Sequence, residues 1–84
     1  MTKLDKLRQR IEQDPKNVRF EDLERLLLAY GFAVRQPGRG GSHCFYSKGR
    51  VTITIPRRRQ QMPPVYVRLV LEAIDQAEEE VKSE

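Results

Sequence analysis

Arg50-Val51-Thr52-Ile53-Thr54-Ile55, closed by Pro56, is the stretch that decides the fold. Successive side chains of a strand point to opposite faces, so alternation of Val51, Ile53 and Ile55 with Thr52 and Thr54 predicts a sheet with one buried and one wet face. Two shorter β-prone runs precede it, Phe32 to Gln36 and Gly41 to Tyr46. The glycine-rich segment Pro37-Gly38-Arg39-Gly40 separates them, and Ser47-Lys48-Gly49 reads as the turn into the third strand. Connections this short predict an antiparallel meander.

Helical periodicity takes over on both sides. Leu23, Leu26, Leu27 and Tyr30 share one helix face, Glu21 and Asp22 stand where the macrodipole favours acids, and Gly31 follows as a C-terminal stop. Leu4, Leu7 and Ile11 form a stripe on an earlier helix, from about Lys3 to Gln13, which Asp14-Pro15 ends. After the strands, Pro63-Pro64 opens a last helix with its stripe on Val67, Val70, Leu71 and Ile74. Glu78, Glu79 and Glu80 oppose the dipole at its end, so fraying is expected there. The order α-α-β-β-β-α predicts an α+β fold with the helices on one sheet face and the other face open for binding. At 84 residues the chain is read as one domain, 1–84, with no internal repeat. Such a domain buries only about 60 to 65% of its unfolded surface, so deep clefts for large cofactors are not expected.

Charge narrows the function. The net charge is only +4, yet from Arg25 to Leu71 there are nine Lys or Arg and no Asp or Glu, although the chain holds twelve carboxylates. A field of that sign attracts polyanions. The only histidine, His43, lies inside this stretch, and imidazole is the side chain whose ordinary pKa suits proton transfer near neutral pH. No apolar run approaches the ~20 residues of a membrane span, and no basic start followed by an apolar block opens the chain, so a soluble, cytoplasmic protein is expected. The single cysteine, Cys44, suits a reducing compartment.

Strand alternation offers two sets for the inner face of the second strand, Ser42, Cys44 and Tyr46 or His43 and Phe45. A basic-flanked histidine is the poorer core residue, which puts His43 and Phe45 on the open face. A structural histidine bonded to backbone is the competing reading. Cys44 then points away from His43, so a Cys–His nucleophilic pair is disfavoured, and one histidine with no nearby carboxylate falls short of a zinc ligand set. No metal or cofactor is expected.

RNA suits metal-independent chemistry because it carries its own nucleophile. The 2′-hydroxyl attacks the adjacent phosphorus once a base takes its proton, while cations and N–H groups stabilise the phosphoryl charge. Arg57, Arg58 and Arg59, three cations ahead of a helix N-terminus with no acid nearby in sequence, form a phosphate site. An exposed Phe45 suits either stacking on a base, worth about 1 to 3 kcal/mol, or burial under a protein partner. The candidate RNA-binding set is Arg39, Gly41, Ser42, Phe45, Lys48, Arg57, Arg58 and Arg59, with His43 catalytic. A non-catalytic RNA-binding module and a basic protein-interaction domain are the alternatives.

These residues resemble the HicA toxins of bacterial toxin–antitoxin pairs. The family's Gly-Ser-His-x-x-aromatic motif is similar to Gly41-Ser42-His43-Cys44-Phe45-Tyr46. Its hydrophobic strand ending in proline, then a basic loop, proline and helix, resembles Thr52 to Pro56, Arg57 to Met62, Pro63 and the helix from Pro64, and its first helix resembles Leu23 to Phe32. The resemblance spans roughly residues 20–76, leaving 1–15 as an N-terminal helical extension and 77–84 as an acidic tail. It implies a fold like double-stranded RNA-binding domains and a ribonuclease toxin that cleaves single-stranded mRNA with His43 as catalytic histidine, neutralised by a HicB antitoxin. Arg57 stands where many relatives carry a second histidine, so a two-histidine mechanism is not available to this chain.

Overall fold

A computed structural model describes residues 3–35, 43–57 and 61–83. The elements run α1 (Lys3–Gln13), a 3-10 turn (Pro15–Asn17), α2 (Phe20–Ala29), β1 (Ala33–Arg35), β2 (His43–Lys48), β3 (Val51–Pro56) and α3 (Pro64–Ser83). The strands form one antiparallel sheet in the order β1-β2-β3. This is the α+β arrangement and element order expected, with only the 3-10 turn unforeseen. No helix among the described residues is long and apolar enough to cross a membrane.

The core lies between the sheet and the helices. Ile53 and Ile55 of β3 and Cys44 and Tyr46 of β2 meet Leu23, Leu26 and Leu27 of α2 and Val67, Val70 and Ile74 of α3, all buried. The extension belongs to this core: Ile11 of α1 is fully buried, and Leu4 and Leu7 pack against the same cluster. Arg8 fastens α1 further, donating to Asp75 Oδ1 of α3 at 2.7 Å and lying over the Tyr30 ring.

The helix ends follow from their sequence. Asp14-Pro15 stops α1 at Gln13, since the residue before a proline avoids helical dihedrals. Asp22 accepts a hydrogen bond from the Arg19 N–H at 3.0 Å, satisfying a donor at the start of α2. At the other end Gly31, at φ +92°, donates to the Leu28 carbonyl while the Phe32 N–H reaches the Leu27 carbonyl. This paired closure is a Schellman motif, and it requires the left-handed conformation that glycine adopts without strain.

Three local expectations are corrected. Ser47 and Lys48 lie in β2, and the turn is only Gly49-Arg50. Gly49 at φ +61° supplies the positive φ at the first central position of a two-residue hairpin turn, whose twist matches the flanking strands, so pairing extends to Lys48 and Val51. β1 is likewise shorter than the run Phe32 to Gln36; Phe32 enters the core just before it, and Gln36 lies outside the described residues. The helix also does not fray at its glutamates: α3 continues to Ser83. Glu78 pairs with Lys48 at 3.8 Å and Glu80 accepts from the Arg50 N–H at 3.4 Å, so both carboxylates meet donors on the β2–β3 hairpin that offset the unfavourable dipole.

Candidate functional site

The period of two along β2 separates its roles. Cys44 and Tyr46 are buried against the helices, while His43 and Phe45 are exposed on the opposite face, Phe45 at 44%. Tyr46 locks this choice of faces. Its hydroxyl donates to Glu24 Oε2 of α2 at 2.6 Å, and burial together with that bond pushes the phenol above its ordinary range. A one-residue slip of β2 would break this bond and drive His43 and Phe45 into the core.

Register then assembles the open face. His43 is the cross-strand partner of Pro56, so Arg57 begins one residue beyond it. The Arg57 guanidinium lies over the Phe20 ring, its carbon 5.9 Å from the centroid, which holds the charge at the end of β3. On the other side Arg35 of β1 is directly opposite Phe45 and, as a diagonal neighbour, roughly 7–8 Å from His43 between Cα atoms. The open face thus carries an imidazole, an aromatic ring and the Arg35 guanidinium, while Arg57, packed on buried Phe20 of α2, stands past the end of β3 at its margin. Among the described residues neither Arg35 nor Arg57 forms an ion pair with a carboxylate.

The chain beyond Arg57 is also fixed where it returns. The Met62 N–H donates to the Val18 carbonyl at 2.7 Å, Gln61 bridges Arg19, and the Gln61 side chain donates to Asn17 Oδ1 at 2.9 Å. The 3-10 turn and the start of α2 therefore anchor the far end of the segment that carries the arginine run.

Of the expected site residues, the structure places His43 and Phe45 together on the open face and Arg57 just past the end of β3, against Phe20. Arg39, Gly41, Ser42, Arg58 and Arg59 lie outside the described residues. Lys48 is not on this face: it shares the inner side of β2 with Cys44 and Tyr46, and its Nζ donates to the Tyr30 carbonyl at 2.6 Å. There it supplies the cation that the last turn of α2 lacks. Arg35 was not singled out from the sequence; the signal was its place in the acid-free stretch, on a strand whose register to β2 a sequence does not supply. Among the described residues no group of three or more His, Cys, Asp or Glu side chains is placed to hold a metal, and Cys44 faces away from His43.

A three-stranded antiparallel sheet, backed by helices on one side and carrying His43, Phe45 and Arg35 on the other, defines a small α+β domain. The family model described as HicA toxin of bacterial toxin–antitoxin matches residues 20–77. The chain belongs to that family, and is a toxin whose counterpart is an antitoxin. None of the curated proteins and none of the solved structures compared with the chain matches it. The match begins at Phe20, so α1 and the 3-10 turn precede it.

Proposed function

We propose that the toxin is a metal-independent endoribonuclease that cleaves single-stranded mRNA in the cytoplasm and is inhibited by a HicB-type antitoxin covering the open sheet face. The observation that carries this reading is the register that sets exposed His43 beside Phe45, with Arg57 one residue past its cross-strand partner. Phe45 offers a stacking platform for a base. Arg57 and Arg35, with Arg58 and Arg59 next in the chain, bind the phosphates and offset the charge that grows on the phosphoryl oxygens. The 2′-oxygen attacks phosphorus, the bond to the 5′-oxygen breaks, and a 2′,3′-cyclic phosphate and a 5′-hydroxyl result. Two protons move, one off the 2′-hydroxyl and one onto the 5′-oxygen. His43 serves one transfer and water the other, since Arg57 replaces the second histidine of many relatives and arginine does not release its proton.

The test is incubation of the protein and its His43→Ala variant with end-labelled single-stranded RNA in EDTA. Discrete fragments from the first and intact RNA from the folded second are expected. Intact RNA with both, alongside salt-sensitive binding, overturns the catalytic reading in favour of a non-catalytic RNA-binding module. Binding that ignores salt points instead to a protein-interaction domain, because phosphate contacts release counterions.

A further inference from the structure

The two edges of the sheet differ. β1 is three residues long, a short edge of the kind that resists pairing. β3 is six residues long, and its centre, Thr52-Ile53-Thr54, carries no charge, proline or bulge. The Gly49-Arg50 turn fixes which of its backbone groups are spent. The pair flanking a two-residue hairpin turn is hydrogen-bonded, and bonded pairs recur at every second residue, so Val51, Ile53 and Ile55 bond to β2 while Thr52 and Thr54 turn their N–H and C=O outward. Among the described residues neither threonine receives a backbone bond from another element. Along this edge runs an open groove of about 280 Å³, between Thr52 and Thr54 on one side and Leu69, Glu72 and Ala73 of α3 on the other. Leu69 is 43% exposed and Val65, one turn earlier, 55%.

We infer that the β3 edge is the anchoring site for an extended strand of the antitoxin, which adds to the sheet as a fourth strand and seats an aliphatic side chain in the groove against Leu69 and Ala73. This rests on the antitoxin partner that the family implies and is independent of whether the toxin cleaves RNA. Charge selects this occupant over a second copy of the chain. Exposed Arg50 and Arg57 flank the two ends of β3. Antiparallel self-pairing that opposes Thr52 with Thr54 of another copy brings Arg50 of each within one residue of Arg57 of the other, two like-charge contacts that disfavour it. A partner strand with acidic residues at its ends meets both arginines. Its interior must be neutral, because Glu72 lines the groove. A strand placed here also aligns the rest of the antitoxin with the neighbouring His43 face, joining anchoring to inhibition.

The experiment is amide hydrogen exchange on the free toxin and on its complex with the cognate antitoxin, copurified after co-expression. Thr52 and Thr54 are expected to exchange rapidly in the free protein and to slow by about tenfold or more in the complex, with Val51, Ile53 and Ile55 protected in both. Thr52→Pro removes an outward donor without removing a ladder bond, and Leu69→Glu puts a carboxylate where the aliphatic side chain of the strand seats. Each is expected to weaken the complex by roughly tenfold while leaving the circular dichroism spectrum unchanged. Thr52 and Thr54 amides that stay fast in the complex overturn the inference, as does absence of any complex. Slowing that depends on toxin concentration alone also overturns it, in favour of self-pairing. If RNA stays intact with the free toxin yet the two amides are protected in the complex, the ribonuclease reading fails and the docking site stands.

Discussion

Replacing Tyr46 by Phe removes one oxygen from the side chain that fixes the faces of β2. The ring fills the same space and leaves almost no cavity, so the loss is that of the 2.6 Å bond to Glu24. Hydrogen bonds to charged groups contribute about 1.5–3 kcal/mol, and Glu24 keeps partial contact with water, which places the cost near the lower end, about 1.5–2 kcal/mol. For a domain of this size that lowers Tm by roughly 8–12 °C. The measurement is urea and thermal unfolding of both proteins, followed by circular dichroism at pH 7 and at rising pH. The phenol is held above its ordinary value, by burial first and then by Glu24. In the unfolded chain tyrosine ionises at about pH 10 and the folded Tyr46 does not. Above that pH the unfolded state binds fewer protons than the native one, so this contribution is fully present below about pH 10 and declines above it, by about 1.4 kcal/mol per pH unit. The gap between wild type and Tyr46→Phe should therefore be constant from pH 7 to about 9 and narrow above about 10. A gap below about 0.5 kcal/mol at pH 7, or one that does not narrow in alkali, would refute the reasoning.

Two further substitutions separate structural cations from those assigned to RNA. Lys48→Met keeps the aliphatic stem but loses the bond to the Tyr30 carbonyl; it should cost about 1–2 kcal/mol in denaturant titrations and leave the salt dependence of RNA binding unchanged. Arg57→Ala should do the reverse, barely affecting stability and reducing the slope of log K against log salt by about 0.7, the value for one phosphate contact on a single strand. Equal slopes for wild type and Arg57→Ala would remove Arg57 from the RNA-binding set.

Most of the fold was legible because it rests on short-range rules. The alternation of Val51, Ile53 and Ile55 set the faces of β3, and the stop at Gly31 anticipated a left-handed glycine that closes a Schellman motif. His43 and Phe45 were assigned correctly to the open face because the neighbouring strand allowed only two parities and one of them buried the histidine. Lys48 shows where that reasoning ends. As part of a turn it had no face; only the shorter Gly49-Arg50 connection, which depends on strand pairing, carries it into β2 and onto the helix side. Arg35 eluded the reading for a related reason, since its value comes from standing opposite Phe45 and register is a property of two segments. Fraying of α3 was expected from its own sequence, and the donors that offset it, Lys48 and the Arg50 N–H, lie some thirty residues away in the chain.

The separation of charge along the chain becomes a division of labour in the fold. The carboxylates lie before Arg25 and after Leu71 in the sequence, and several on the described helices meet structural partners: Asp75 takes Arg8, Asp22 takes Arg10 and Glu78 takes Lys48. Those pairs fasten α1 to α3, α1 to α2, and α3 to the β2–β3 hairpin, all away from the open face. No acid in the sequence of the sheet competes for Arg35 and Arg57, so their charge is available to a ligand. An acidic residue introduced on the open face, as in Thr54→Glu beside Phe45, would supply that competitor and should weaken salt-dependent RNA binding.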